Sequence, residues 1–436
     1  MSTFLFASIP VQAHSTNPLP FAARLIERGH TVLWYAGSAF AGQIAAIGAT
    51  HVPYQHAADF SGHDLFEYYP WLAGRSGPKV IGEVFDRIFV GHAPQRISDL
   101  QPVLADHRVN AMLTDGLMYG VGMLGELTGI PVATFGDGPL PQSDPDVPPF
   151  GPGLLPMGGP LGGLRNRAVS AFARRVLFAD AERRYQQIRT DLGLPRDPSG
   201  ALDGLMSRDL HLQGCTPSFE YPRRNPLPAS VHWVGALQPD PAPAWSPPLW
   251  WPDVLQSERP VVHVTQGSLR ADMTELIGPA IRGLADRNVL VVVTTGGPDR
   301  AEVERVIGGP LPDNVRVTPF VPYDLLLGRA QVMVTNGGYT GVTLALRHGV
   351  PLVQAGTTEE KSEIGARIEW SGVGRRLRTT RPSPRAVADA VADVLSNPSY
   401  RSAAQRIQEE MACHDAGREG ADLLERLAVD RLAPRP

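Results

Sequence analysis

Short apolar runs alternate with amphipathic segments along the whole chain. Residues 4–9 form the first apolar run, residues 18–28 the first amphipathic segment, and residues 31–35 the next apolar run. A short apolar run bounded by turn residues is typical of a buried parallel strand, and the order strand, helix, strand is typical of a βαβ unit. The pattern predicts an α/β protein that opens with a Rossmann-like domain.

The alternation continues through the chain, and its predicted elements fall into two sets. In the first set, strands are predicted at residues 111–114, just after residue 129, and at 210–212 and 231–234. Helices are predicted at 121–128 and 165–192, and residues 80–104 are predicted to form one long helix or two shorter ones. In the second set, strands are predicted at residues 261–265, 289–294, 315–320, 332–335 and 350–353, with helices at 273–285, 339–347 and 384–426. Each set alternates strand and helix independently, so we predict two Rossmann-like domains.

A proline-rich stretch separates the two sets. Residues 238–252 read QPDPAPAWSPPLWWP, and proline at this density is incompatible with a helix interior or a central strand. The chain of 436 residues is long enough for two domains of about 200 residues each. We therefore predict an N-terminal domain over residues 1–237, a linker over residues 238–258 and a C-terminal domain over residues 259–436.

The stretch 332–374 carries the most specific local chemistry. Its predicted strand is followed by Asn336, Gly337 and Gly338, and the predicted helix begins directly after them. Glycine lets the backbone approach a ligand, and a helix N-terminus offers unpaired N–H groups and a partial positive charge. The pattern predicts a phosphate seat, beside a carboxylate-bearing loop at residues 356–361 that suits sugar hydroxyl groups.

The same stretch resembles the C-terminal half of the family 1 glycosyltransferases, the inverting nucleotide-sugar enzymes of the GT-B fold. The likeness is strongest to the bacterial natural-product, macrolide-type branch. The motifs that carry it are Asn336-Gly337-Gly338, Ala345-Leu346, Gly349-Val350-Pro351, Glu360-Lys361 and Gly372-Val373-Gly374, which keep the family's spacing. The resemblance implies two Rossmann-like domains that face each other across a cleft, and a helical C-terminal tail that packs back on the first domain. It also implies sugar transfer from a nucleotide-sugar, such as a UDP- or dTDP-sugar, to a hydroxyl group of a hydrophobic small molecule.

His14 is the candidate catalytic base, and Asp115 is the candidate group that orients it. His14 lies in the predicted loop after the first strand, in a turn that resembles the family's Gly-His-x-x-Pro motif with Ala13 in place of glycine. A histidine with a pKa near 6.5 accepts a proton at neutral pH, and an aspartate at a strand end can fix its tautomer. The structural alternatives are a loop histidine bonded to the backbone and an aspartate that caps the following helix.

The resemblance also implies two sets of substrate-binding residues. The donor set is Gly267, Ser268, Thr295, Gly296, Phe320, Val321, Asn336, Gly337, Gly338, Tyr339, Thr340, Gly341, Glu360 and Lys361. The acceptor set is Phe66, Tyr69, Trp71, Met118 and Phe135, and the proline- and glycine-rich segment 139–160 is predicted to form a further, mobile wall. The structural alternative for the aromatic region 54–80 is a loop whose rings pack on their own domain.

Three donor-side motifs depart from the family's pattern. Asn336 stands where the family has a histidine, and an amide never carries a positive charge. Gly341 and Val342 replace a Ser/Thr pair, and Glu360-Lys361 replaces Asp-Gln. Because these changes thin the set of hydroxyl-binding groups, we hypothesise a deoxysugar carried on dTDP.

The composition and net charge argue against several classes of binding partner. The net charge of −4 gives no electrostatic reason to expect nucleic acid or an anionic membrane. Cys215 and Cys413 are too few for a zinc site or a disulfide framework, and the N-terminus lacks the basic region of a signal peptide. No apolar run reaches the roughly 18 residues of a membrane span. We predict a cytoplasmic monomer or homodimer that requires no metal ion and no cofactor.

Two other functions stay open at this stage. One is a nucleotide-sugar epimerase of the same fold, which has no need for a second-substrate pocket or for the pair His14 and Asp115. The other is an inactive binding or auxiliary homologue, which the altered diphosphate motif around Asn336 would fit. C- or N-glycosylation is a further alternative to transfer onto oxygen.

Overall fold

The chain forms two parallel β-sheets. The computed structural model describes residues 1–63, 65–72, 74–75, 77–238, 245–267 and 272–430, and for residues 65, 66, 78 and 430 it describes the backbone only. The strands of the first sheet are β1 Thr3–Ala7, β2 Thr31–Tyr35, β3 Thr50–Val52, β4 Ala111–Asp115, β5 Val132–Gly136, β6 Leu210–Gln213 and β7 Val231–Trp233. The strands of the second sheet are β8 Val261–Thr265, β9 Leu290–Thr294, β10 Val315–Thr318, β11 Ala330–Thr335, β12 Leu352–Gln354 and β13 Gly374–Arg376.

The order of the strands defines where ligands can bind. The first sheet has the order β3-β2-β1-β4-β5-β6-β7, and the second has the order β10-β9-β8-β11-β12-β13. Every neighbouring pair is parallel. The direction of winding reverses between β1 and β4 and between β8 and β11, and such a switch point opens a crevice beyond the carboxyl ends of the strands. The predicted α/β architecture with two Rossmann-like domains is confirmed.

Helices cover both faces of each sheet. In the first half they are α1 Gln12–Thr16, α2 Leu19–Glu27, α3 Ala41–Ala46, α4 Leu65–Tyr68, α5 Pro78–Val84, α6 Ala93–Asp106, α7 Val121–Thr128, α8 Gly159–Phe172, α9 Ala179–Asp191 and α10 Gly200–Asp203. In the second half they are α11 Trp251–Leu255, α12 Ile277–Leu284, α13 Arg300–Ile307, α14 Tyr323–Leu327, α15 Tyr339–Arg347, α16 Lys361–Trp370, α17 Pro384–Ser396, α18 Pro398–Met411 and α19 Ala416–Asp430. Two π-helical turns, Phe85–Val90 and Ala173–Leu177, and three 3₁₀ turns, Ser38–Phe40, Pro70–Leu72 and Pro217–Phe219, complete the helical elements.

Several predicted helix boundaries were wrong. The helix predicted at residues 273–285 begins only at Ile277, because the side chain of Gln266 accepts hydrogen bonds from the Leu276 and Ile277 N–H groups and holds the preceding turn open. The helix predicted at residues 165–192 is interrupted by a π-helical turn. For residues 80–104 the alternative of two shorter helices is confirmed, because a π-helical turn separates α5 from α6. The helical tail consists of three helices, and Pro398 begins the second of them, as suits a residue that lacks an N–H group.

The first sheet separates two apolar cores. Leu5 and Ala7 of β1 face one core, whereas Phe4 and Phe6 face the other, as the alternation of side chains along a strand requires. Helix α19 packs into the second core against α2, and a Cβ atom at Gly420 would lie 2.4 Å from the ring of Phe21. The C-terminal helix therefore belongs structurally to the first domain.

A third apolar cluster joins the two halves of the chain. Cys215 and Phe219, which follow β6, are buried with Tyr339 of α15 and Ile364 of α16. The contact fixes α15 and α16, whose N-termini border the predicted donor site, against the first domain. None of the helices in the described ranges has both the length and the apolar character needed to cross a membrane.

Candidate active site

His14 lies at the switch point of the first sheet. It is part of the short helix α1, and not of the loop that was predicted there. The helix follows β1 directly, because Ser15 is buried and its hydroxyl group donates a hydrogen bond to the Ile9 carbonyl oxygen at 3.2 Å. The imidazole is 19% exposed, so it is shielded on most sides but accessible from the crevice.

Two carboxylates face the Nδ1 atom of His14. Asp137 Oδ2 lies 3.0 Å from Nδ1, and Asp115 Oδ1 lies 3.8 Å from it. The predicted orienter, Asp115, accepts hydrogen bonds from the Ile9 and Leu117 N–H groups at 2.9 Å each, so both of its oxygen atoms are committed to the backbone. The nearer partner of His14 is therefore Asp137, which the sequence reasoning missed.

Asp137 occupies the same kind of position as Asp115. It follows β5 immediately, and β5 is the neighbour of β4 in the sheet. A polar residue at the carboxyl end of a strand beside the switch point was the signal that selected Asp115, and applied to Gly136-Asp137-Gly138 it would have found this residue as well.

The carboxylates and the burial of the site shift the pKa values of His14 and Asp137. Burial lowers the pKa of His14, but the negative charges of Asp137, Asp115 and Glu360 together raise this pKa above its ordinary value of 6.5. Burial raises the pKa of Asp137 to about 6, and the charges of Asp115 and Glu360 add to this while His14 opposes it. The site therefore favours an imidazolium, the form that His14 takes after accepting a proton.

The donor-side motif lies at the switch point of the second sheet. Asn336 follows β11, Gly337 has φ of +98°, and Gly338 is the N-cap of α15 without a side-chain cap of its own. Gly267 follows β8, and a Cβ atom on it would lie 3.6 Å from the amide of Asn336. The four residues converge on the N-terminus of α15, as a phosphate seat requires. Ser268 lies outside the described residues.

Direct contacts connect the two switch points. Asn17, a buried residue just after α1, donates from Nδ2 to the Thr340 hydroxyl oxygen at 3.1 Å, and the same Nδ2 lies 3.4 Å from Asp137 Oδ2. Glu360, at the start of α16, is close enough to contribute to the pKa of His14. His14, its carboxylates and the N-terminus of α15 therefore border one crevice.

Four predicted site residues are core residues. Met118 is buried in one core of the first domain, and Phe135 is buried in the other. Tyr339 is buried in the apolar cluster that joins the two halves of the chain, and Val321 is buried in the second domain. Each of these residues is at most 3% exposed, so their side chains offer almost no surface to a substrate. The backbone of Val321 is the part that can serve the predicted base contact.

The remaining donor-side residues lie near the ends of the strands. Thr295 and Gly296 follow β9, and the Thr295 hydroxyl group donates to the Pro298 carbonyl oxygen at 2.5 Å. Phe320 is 57% exposed, which leaves its ring free to contact a nucleotide base. Gly341 lies inside α15, where a Cβ atom would be 3.4 Å from the Tyr323 hydroxyl oxygen.

The aromatic acceptor-side residues form a cluster beside α1. Tyr69 and Trp71 pack with Phe60 and Val11, and Val11 is the N-cap of the helix that carries His14. The guanidinium group of Arg87 lies 5.0 Å from the centre of the Trp71 ring. The side chain of Phe66 is outside the described part of the chain.

The proline-rich segment 139–160 is fastened to the second domain by a buried charge cluster. Glu363 of α16 accepts hydrogen bonds from the Gly151 and Gly153 N–H groups at 2.9 and 2.6 Å. Arg367 bonds Glu363 at 3.2 Å and Glu220 at 2.9 Å. We call Glu220, Glu363 and Arg367 the buried clamp. All three are nearly inaccessible to solvent, so the clamp anchors, at Gly151 and Gly153, a segment that was predicted to be mobile.

Gly153 lets the backbone of segment 139–160 lie directly against the backbone of α16. Its φ is +60°, and a Cβ atom would lie 2.2 Å from the Ser362 carbonyl oxygen. Arg376 donates to the Gly153 carbonyl oxygen at 2.8 Å. Within the described residues, no group of three or more histidine, cysteine, aspartate or glutamate side chains is placed to hold a metal ion.

Two facing Rossmann-like domains, with a histidine–carboxylate group on one and a phosphate seat on the other, define a glycosyltransferase of the GT-B fold. Residues 286–427 match the family model described as the C-terminal domain of erythromycin biosynthesis protein CIII-like proteins. The chain belongs to this family of natural-product glycosyltransferases.

Similar proteins support the assignment over the full length. The 4'-demethylrebeccamycin synthase of Lentzea aerocolonigenes is 42% identical over 424 residues, which cover 97% of this chain and 99% of the relative. UDP-glycosyltransferase 2 of Phaeomoniella chlamydospora is 31% identical and covers 98% and 95% of the two chains. The crystal structure of CalG4, the calicheamicin glycosyltransferase, superposes with a TM-score of 0.71 at 20% identity and full coverage of both chains. These relatives favour neither an epimerase nor an inactive homologue.

Proposed function

We propose that the protein transfers a sugar with inversion from a nucleotide-sugar to a hydroxyl group of a hydrophobic natural-product aglycone, with His14 as the base. The observation that carries the proposal is the position of His14 and Asp137 at the switch point of the first sheet, where Nδ1 of His14 lies 3.0 Å from Oδ2 of Asp137. The Asn17–Thr340 contact at 3.1 Å brings this pair to the phosphate seat of the second sheet.

The geometry assigns the steps of the reaction to particular atoms. Nδ1 of His14 faces Asp137 and Asp115, so Nε2 is the nitrogen that accepts the proton of the acceptor hydroxyl group. The acceptor oxygen attacks the anomeric carbon as the bond from that carbon to the diphosphate breaks, and the diphosphate leaves with the bonding electrons. The N–H groups at the start of α15 stabilise the departing charge.

Product stereochemistry tests the proposal. The purified protein would be incubated with an α-linked UDP-sugar or dTDP-sugar and a panel of polycyclic aglycones, and the product would be examined by NMR. A single displacement is expected to give a β-linked product, because attack and departure occur on opposite faces of the sugar. An α-linked product, or hydrolysis of the donor without transfer, would contradict the proposal. A parallel reaction in the presence of a metal chelator is expected to proceed at the same rate.

The identity of the donor follows from the altered donor-side residues. Asn336, Gly341 and Val342 supply fewer charged and hydroxyl groups than the family's pattern, which supports a dTDP-deoxysugar. One similar protein carries the name UDP-glycosyltransferase, which supports UDP as the competing nucleotide. Comparing turnover of UDP-glucose with that of dTDP-deoxysugars decides between them, and efficient use of UDP-glucose alone would reject the deoxysugar.

The acceptor and the setting of the reaction belong to the same proposal. The relative 4'-demethylrebeccamycin synthase is named for its product, and the similarity to it supports an acceptor that resembles the aglycone part of such a product. Because N-glycosylation is an open alternative, the assay panel includes acceptors that present nitrogen as well as oxygen. We place the reaction in the cytoplasm, consistent with the free thiols Cys215 and Cys413. A monomer or a homodimer is proposed, and light scattering measures which one forms.

Replacing Asp137 with asparagine tests its action on His14. The substitution removes the negative charge nearest to Nδ1, so the raised pKa of His14 is expected to fall. Because the base must be neutral, kcat/KM rises with pH through this pKa, and its acidic limb is expected to move to lower pH in Asp137→Asn. The weaker base and the lost support of the imidazolium are expected to lower the plateau about 10- to 100-fold. An unchanged limb in the pH profile would remove Asp137 from the mechanism.

A further inference from the structure

A cavity opens at the carboxyl ends of β8 and β11, beside the N-terminus of α15. Its lining includes Gln266, Asn336, Gly356, Thr358 and Lys361. Of its lining residues within the described part of the chain, Lys361 is the single one that carries a positive charge. The cavity therefore joins the predicted phosphate seat to one ammonium group.

Lys361 is held in this cavity by the backbone around it. Its side chain is only 5% exposed although it is the first residue of α16, and a Cβ atom on Gly356 would lie 3.0 Å from the Lys361 Cδ atom and 2.1 Å from the Asn336 carbonyl oxygen. Glycine at position 356 thus lets the lysine stem pass beside the backbone of Asn336. The ammonium group forms an ion pair with Glu359, whose backbone adopts the left-handed conformation at φ 50°.

Asn336 gives an independent sign that a polar ligand is bound here. Its side chain is more than nine-tenths buried and lines the cavity, and its Oδ1 atom has no hydrogen-bond partner within the described residues. Its Nδ2 group donates to the Gln266 carbonyl oxygen. A buried acceptor without a partner is costly, so the unpaired oxygen of an amide that lines the cavity indicates a hydrogen-bond donor there, such as a sugar hydroxyl group of the donor or a water molecule.

The charges around the crevice favour a cation beside the donor's phosphates. Asp137, Asp115 and Glu360 all act on His14, so the crevice is rich in negative charge. A departing diphosphate brings further negative charge, and Asn336 cannot supply a positive one. An ammonium group in a cavity shielded from solvent interacts strongly with phosphate oxygen atoms.

We propose that Lys361 binds the sugar-linked phosphate of the donor's diphosphate, supplying the positive charge that Asn336 lacks, and that Glu359 competes with the phosphate for it. The inference deepens the proposed function, because it names a donor-binding residue of the same site. It assigns to Lys361 a phosphate contact, where the resemblance to the family implied a contact with sugar hydroxyl groups.

Calorimetric titration with the nucleotides alone tests this assignment. Lys361→Gln is expected to weaken binding of UDP or dTDP about 10- to 100-fold, while binding of UMP or dTMP changes less than about threefold, because only the diphosphates carry the second phosphate. Glu359→Gln is expected to tighten binding of the diphosphates by a few fold. Lys361→Arg, which keeps the charge, is expected to retain most of the affinity.

Controls separate this inference from general damage and from the proposed function. Lys79→Gln, a substitution of an exposed lysine in α5, is expected to bind as the parent does. Asn336→His, added to Lys361→Gln, is expected to restore part of the diphosphate affinity below pH 6.5, where a histidine is charged. Unchanged diphosphate binding by Lys361→Gln, or an equal loss for mono- and diphosphates, would overturn the role of Lys361. A parent protein that binds no nucleotide would instead contradict the proposed function itself.

Discussion

Replacing His14 with alanine is expected to lower kcat for sugar transfer by about 10²- to 10⁴-fold, the usual contribution of a positioned general base. The acceptor hydroxyl group would lose the group that takes its proton, and the nearest carboxylate, Asp137, lies behind the imidazole, with Oδ2 3.0 Å from the Nδ1 atom. Binding of UDP or dTDP is expected to stay within about twofold of the parent, since the phosphate seat belongs to α15. Single-turnover kinetics and calorimetry measure the two quantities.

A matched substitution shows whether the loss is specific to His14. His107 is an exposed histidine at the end of α6, and His107→Ala is expected to leave kcat unchanged. Thermal unfolding of His14→Ala is expected to occur within a few degrees of the parent, because the imidazole is not part of either core. Transfer by His14→Ala at the parent rate would exclude His14 as the base.

Replacing Arg367 with methionine is expected to lower the free energy of unfolding by about 3–5 kcal/mol, the typical cost of removing one partner from a buried ion pair. The substitution leaves Glu220 and Glu363 buried without their shared cation, and it removes the guanidinium group that lies 4.4 Å from the centre of the Tyr221 ring. Urea denaturation measures the change. The KM for the acceptor is also expected to rise more than that for the donor, because segment 139–160 loses its support.

Two further variants identify the cause of this loss. Arg375 forms an ion pair with Asp393 at the surface, where the two side chains are 47% and 35% exposed, so Arg375→Met is expected to cost at most about 1 kcal/mol. Adding Glu220→Gln and Glu363→Gln to Arg367→Met is expected to recover part of the stability, because the unpaired charges are removed. If Arg367→Met were no less stable than Arg375→Met, the buried clamp would have no role in stability.

The sequence predicted those parts of the site that depend on strand ends. His14, Asp115 and Asn336 each follow a short apolar run, and parallel strands bring such positions together at one edge of a sheet. Asp137 also follows the end of a parallel strand, but the glycine on either side of it is typical of an ordinary turn. Phe135 and Tyr339 stay predictions as binding residues, and their burial could not be foreseen, since the direction of a side chain depends on the register of its strand or helix.

The long-range polar contacts could not be predicted from local patterns. Glu220 and Arg367 are 147 residues apart, and Glu363 and Gly151 are 212 residues apart, so no periodicity connects them. Lys361 was recognised as unusual for the family, but its pairing with Glu359 depends on the backbone conformation at φ 50°. Such contacts follow from the packing of complete domains.

The buried clamp has a consequence for recombination between relatives. Glu220 and segment 139–160 are encoded before the proline-rich linker, whereas Glu363, Arg367 and Arg376 are encoded after it. A hybrid enzyme joined at the linker would therefore combine an acceptor-side wall from one parent with its anchor from the other. Hybrids should be built so that these residues are inherited together, even though the junction that looks most natural in the sequence divides them.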